Sequence, residues 1–131
     1  MISLLDTILV TANIIEEKGR DFLYAANFPD HAGAGNNGCF YRANGHLYDE
    51  EAKNIPACIV GQVLHHFNLL HLAVENSGLA GFEAGNFSSE AIDFLNRVQR
   101  QQDNGDTWGW AFDVGIHEIS ESRGLHSSHW V

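Results

Sequence analysis

Positive charge is scarce in this chain: Lys and Arg together number 7 in 131 residues, against 17 Asp and Glu, for a formal net charge of −10. The bases, Lys18, Arg20, Arg42, Lys53, Arg97, Arg100 and Arg123, form no stripe. Recognition of a nucleic-acid backbone or an anionic lipid surface needs clustered Lys or Arg, so neither direct nucleic-acid binding nor membrane binding is expected. The acids are scattered as well, with Asp49-Glu50-Glu51 the one run, and the charge reads as solubility and self-repulsion. Acidic DNA mimicry is the least favoured alternative.

Cysteine is equally sparse. Cys39 and Cys58 can close at most one disulfide, which points to free thiols and a cytoplasmic protein rather than a secreted disulfide framework. No apolar run approaches the ~18 residues that cross a bilayer, and Asp6 interrupts the opening Met1-Ile2-Ser3-Leu4-Leu5, so an export or membrane segment is not expected. Internal repeats and low-complexity blocks are absent too, which leaves a single domain over residues 1–120 and a poorly ordered tail over 121–131.

What remains is apolar and mostly helical in pattern. Hydrophobic residues make up 44% of the chain, enough to build a core. Leu4, Leu5, Ile8, Leu9, Ala12 and Ile15 recur at three- and four-residue spacing between Ser3, placed as an N-cap, and Gly19, placed as a stop. A short helical piece over Arg20 to Ala26 then ends at Phe28-Pro29. Pro56 is placed to open a central helix with Ile59, Val60, Val63, Leu64, Phe67, Leu70 and Val74 on its apolar face. Gly81 to Asn86 reads as loop. Ser88 starts another helix, whose buried stripe is Ala91, Leu95, Val98 and Gln102, widened by Ile92 and Phe94, and which stops near Asp103-Asn104-Gly105. Trp108 to Ile119 fits both a strand alternation and a helix capped by Thr107; the helix is preferred although Gly109 and Gly115 weaken it. Ala43-Asn44-Gly45, flanked by Cys39 to Arg42 and His46 to Tyr48, is a hairpin signal. The expected fold is mainly α: a bundle of about four helices with a small β-hairpin between the first and second major helices.

Four constellations bear on chemistry. Gly33-Ala34-Gly35-Asn36-Asn37-Gly38 matches G-x-G-x-x-G, but no strand precedes it and no helix follows, so a flexible covering loop is the better reading and small-molecule or nucleotide binding an alternative. Cys58 sits at a helix start, the setting that activates a thiol; with a histidine as base it gives a cysteine-dependent enzyme, and otherwise it is a small buried apolar residue. His65, His66 and His71 share no face on one continuous helix, and His126-x-x-His129 lies in the tail, so no metal site and no cofactor is expected. Asp103-Asn104-Gly105-Asp106 lacks the spacing of a calcium loop and reads as helix-end chemistry.

The pieces Cys39-x-Tyr41, Pro56-x-Cys58-Ile59-Val60-Gly61-x-x-Leu64 and Ala91-x-x-Phe94-Leu95-x-x-Val98-Gln99-x-x-Gln102-Asp103-x-Gly105-x-x-Trp108-x-x-Ala111 resemble small actinobacterial and bacteriophage proteins, a family of domains of unknown function. The resemblance implies a bacterial or phage cytoplasmic setting, and a structural role for Cys58 and Gly61, as small residues that let another element approach the central helix. It implies no activity. The expected function is therefore that of a non-enzymatic accessory protein that binds a host or bacterial protein, with self-association left open. The expected binding residues are Tyr41, Arg42 and Tyr48 on the loop and hairpin, and the aromatics Trp108 and Trp110.

Overall fold

The computed structural model describes residues 1–24, 41–42, 55–73, 78–83 and 85–123. Among them the architecture is helical: α1 (Leu4–Lys18), α2 (Ile59–His66), the 3-10 turn Leu70–Leu72, the single-turn α3 (Ala80–Glu83), α4 (Ser89–Asp103) and α5 (Trp108–Arg123). No strand is present among the described residues; two isolated bridges join Ile2 to Phe87 and Arg42 to Pro56. The expected hairpin lies outside the described residues except for Tyr41 and Arg42, of which Arg42 is bridged to Pro56.

α1 starts and stops where its sequence says it should. The Ser3 side chain accepts from the Asp6 N–H at 3.1 Å, and Gly19, at φ +101°, ends the helix. Its buried face, however, is Leu4, Thr7, Ile8, Thr11 and Ile15, while Leu5 and Leu9 are exposed. The two threonines can be buried because each hydroxyl donates to the carbonyl four residues back, Thr7 to Ser3 at 2.8 Å and Thr11 to Thr7 at 2.7 Å. Arg20 to Leu23 do not continue the helix; they turn, and the carbonyls of Arg20 and Phe22 accept from Gly109 and Trp108 of α5.

α2 is central and fully buried at Ile59, Val60, Gly61, Val63 and Leu64. It differs from the expected helix at both ends. Pro56 lies before it, held in the bridge to Arg42, and Cys58 is the N-cap. The helix ends at His66, well short of Val74, because Asn68 takes a left-handed conformation (φ 60°). The Asn68 N–H then donates to the His65 carbonyl at 3.0 Å and the Leu69 N–H to the Leu64 carbonyl at 2.8 Å, the paired bonds of a Schellman stop with asparagine in the place usually held by glycine. A one-turn helix, α3, also occupies part of the stretch expected as loop from Gly81.

α4 and α5 form the most extensive helix pairing. α4 buries Ala91, Ile92, Phe94, Leu95, Val98 and Gln102, the stripe its sequence implies. It stops at Gly105 (φ +95°), whose N–H donates to Gln102 while that of Asp106 donates to Gln101. The ambiguous segment is helix α5, and it runs on to Arg123; residues 124–131 lie outside the described set. The glycines that argued against a helix are where α5 meets its neighbours. A Cβ on Gly115 would lie 2.5 Å from Val98 Cγ2, and one on Gly109 would lie 2.7 Å from Arg20 Cβ. Phe94 and Phe112 meet edge to face at 6.0 Å, and Arg97 pairs with Asp93 on α4 and Glu118 on α5.

Candidate functional site

Cys58 is fully buried and unbonded to another cysteine. Its Sγ accepts from the Gly61 N–H at 3.4 Å, so the thiol serves as an N-cap acceptor. The other two amides of that turn are capped from α4: Ile59 N–H donates to Gln102 Oε1 at 2.9 Å and Val60 N–H to Gln99 Oε1 at 3.3 Å. The same Gln102 oxygen also accepts from the indole Nε1 of buried Trp108 at 3.1 Å. Tyr41 closes the outer side, its carbonyl accepting from Ala57 N–H at 2.8 Å and lying where any Cβ on Gly61 would have to go, 2.1 Å away. Gly61 thus does what the sequence pieces implied: it lets another backbone lie directly on α2.

This geometry leaves Cys58 little to do as a nucleophile. The residue is closed to solvent, and the two amides of the turn that do not reach its Sγ are taken by Gln102 and Gln99. His65 and His66 sit at the opposite end of α2, some seven residues or about 10 Å along the axis at 1.5 Å per residue, and both are exposed. No hydrogen bond joins a described histidine to Cys58.

The expected binding residues divide. Tyr41 is buried, and the Arg42 guanidinium donates to the carbonyls of Leu70 and Ala73, both at 2.8 Å, clamping the chain after α2. Trp108 is fully buried, its ring tilted 44° against Phe22 with centroids 4.2 Å apart and its indole bonded to Gln102, so it belongs to the core and offers no surface. Tyr48 lies outside the described residues, as do the glycine-rich run at 33–38, Cys39, His31, His46, His126 and His129. Of the described binding candidates, Trp110 stands out in solvent, 58% exposed, beside Asp113, Val114 and His117 on the outer face of α5.

The helix break at Asn68 has one effect that a continuous helix does not allow: His65 and His71 come to line one cavity of about 200 Å³ with Asn68 and Leu70. Among the described residues no group of three or more His, Cys, Asp or Glu is placed to hold a metal ion. Asp103 accepts from the side-chain amides of Gln99 and Gln102, in keeping with helix-end chemistry.

The sequence reading missed a surface. α1 and α5 run antiparallel: Arg20, after the end of α1, bonds the Gly109 carbonyl and pairs with Asp113, while Phe112 faces Ala12, Ile15 and Glu16 one to two turns earlier in α1. Between the helices lies a groove of about 360 Å³ lined by Ala12, Ile15, Glu16, Arg20 and Phe112. Leu5 and Leu9 continue its α1 wall at four-residue spacing, 39% and 54% exposed. The signal was present in the sequence, since Leu5 and Leu9 lie on the edge of the apolar arc farthest from Thr7 and Thr11.

Comparison with known proteins found no matching family model, no matching curated protein and no matching solved structure. No helix among the described residues is long and apolar enough to cross a membrane.

Proposed function

We propose that this chain is an accessory protein that binds a protein partner and catalyses no reaction, in a bacterial or bacteriophage cytoplasmic setting. The observation that carries this reading is the groove between α1 and α5 with the exposed Leu5 and Leu9 along its wall. Large apolar side chains that line up along a groove favour association, because covering each leucine removes it from water for roughly 1.5–3 kcal/mol when burial is complete. The complete burial of the Cys58 thiol supports the non-enzymatic side of the reading. The resemblance to small bacterial and phage proteins supports the setting.

The test is affinity capture with the full chain as bait from a bacterial lysate, quantified by mass spectrometry. The wild type and Cys58→Ala are expected to retain the same partner. The double variant Leu5→Ser, Leu9→Ser is expected to lose it while keeping its helical circular dichroism. Full retention by the leucine variant places the binding surface elsewhere.

A further inference from the structure

We infer that the occupant of the α1/α5 groove is a basic amphipathic helix of a partner protein, an inference that rests on the protein-binding reading and adds the chemistry of what is bound. Three observations determine it. The first is shape. The groove is lined by Ala12, Ile15 and Glu16 on α1 and Phe112 on α5; beyond it the exposed Leu5 and Leu9 continue the line of Ala12 and Glu16 at three- and four-residue steps, and half-buried Ile116 follows Phe112 one turn on. Two antiparallel helices with an open furrow between them accept a third helix by ridge-into-groove packing, and the stretch from Leu5 to Glu16 is about 16 Å long at 1.5 Å per residue, some three turns.

The second observation is charge. On a helical wheel Asp6, Asn13 and Glu17 lie about 100° from Leu5, 40° from Leu9 and 100° from Glu16 respectively, on the solvent side of the leucine stripe, and Glu16 stands in the groove wall itself. Asp6, Glu16 and Glu17 take no part in the ion pairs of the described residues. Arg20, a base that itself lines the groove, is committed to Asp113 and the Gly109 carbonyl. A helix seated on the leucines therefore meets the Glu16 carboxylate in the wall, with Asp6 and Glu17 about 100° further round α1 on the exposed side, where only long Lys or Arg side chains reaching past the stripe would complement them.

The third is the charge of the whole chain. At −10, a second copy of this protein would bring its own acidic flank against the first, and an anionic lipid surface would be repelled in the same way. Of the occupants an apolar groove can take, the basic helix alone gains from both the leucines and the acids.

The probe is a synthetic 18-residue peptide of Leu, Ala and Lys with leucines at i, i+3, i+4 and i+7 spacing, titrated into the full-length protein and followed by amide chemical shifts. Its controls are the same composition scrambled and the same apolar face with Glu in place of Lys. Saturable binding of the Lys peptide, with shifts confined to α1 and α5, is expected. Leu5→Ser with Leu9→Ser should weaken it about tenfold or more, since each 1.4 kcal/mol of lost burial is tenfold in Kd. Glu16→Gln with Glu17→Gln should weaken it severalfold and flatten its salt dependence. Equal binding by the scrambled peptide or by the leucine variant would reduce the effect to bulk charge and overturn the inference. Equal binding by the Glu peptide, or a concentration-dependent dimer in sedimentation that the leucine variant abolishes, would overturn it as well. If the Lys peptide fails while lysate capture still depends on Leu5 and Leu9, the groove binds protein of another chemistry; if both fail, the protein-binding reading falls with it.

Discussion

Gln102 is the most consequential buried polar residue of the described structure, and replacing it by methionine tests the account of the core. Its Oε1 accepts from two buried donors at once, Ile59 N–H at 2.9 Å and Trp108 Nε1–H at 3.1 Å, which ties α4 to the start of α2 and the start of α5. Methionine keeps the length and volume of the side chain but offers neither donor a partner of comparable strength. Each stranded buried donor costs about 1–3 kcal/mol, so the pair amounts to about 2–6 kcal/mol. Burying a thioether in place of an amide returns about 1–2 kcal/mol, leaving an expected net loss of about 2–4 kcal/mol. Equilibrium unfolding in urea reads this directly: with m near 1–3 kcal/mol/M, the midpoint should fall by about 1–3 M. Trp108→Phe completes a cycle, because the indole donor is then gone and Gln102→Met strands one group instead of two. A coupling of about 1–2 kcal/mol is expected between the two changes. Additivity to within about 0.5 kcal/mol, or a single-variant loss under about 1 kcal/mol, would refute the shared-acceptor geometry.

Three further outcomes follow from the same contacts. Gly61→Ala drives its Cβ into the Tyr41 carbonyl, a backbone atom that cannot rotate away, and should cost at least about 2–3 kcal/mol in thermal unfolding, whereas Gly115→Ala meets a Val98 methyl, regains about 1 kcal/mol of helix propensity and should cost less. Asn68→Gly should stabilise the fold by a few tenths to about 1 kcal/mol, and Asn68→Ala should destabilise it by about 1 kcal/mol, since only the former relieves a left-handed backbone; chemical denaturation measures both. In a Cys39→Ser background the Cys58 thiol should react with an aromatic disulfide reagent no faster than the protein opens; rapid second-order labelling of the folded state would restore a reactive-thiol reading.

Much of the helical skeleton was legible because it depends on local chemistry. Ser3, Gly19, Ser88 and Gly105 each act at a helix end through bonds to residues within five positions, and the α4 stripe, including Gln102, is visible as periodicity. The errors arise where partners are distant or where polarity misleads. Thr7 and Thr11 read as polar, yet their hydroxyls are satisfied inside their own helix, so α1 buries them and turns Leu5 and Leu9 outward. Periodicity carried α2 through Asn68, because one left-handed residue leaves no trace in a hydrophobic pattern. Tyr41 and Trp108 looked like surface anchors because aromatic content does not distinguish a core from an interface, and their partners, Gly61 and Gln102, are known only once the chain is folded. The groove residues were all present in the helix patterns, but its existence depends on the antiparallel approach of α1 and α5.

The capping of α2 by Gln99 and Gln102 also bears on the order in which the protein assembles. α2 is eight residues long, below the length at which an isolated helix persists in water, and two of its first three amides find acceptors roughly forty residues further along the chain. A peptide covering residues 55–73 should therefore be unstructured, and α2 should form only when α4 docks against it. The amide protons of Ile59 and Val60 would then exchange with solvent through global opening, making this short, centrally placed helix a reporter of the whole fold and not of its own fraying.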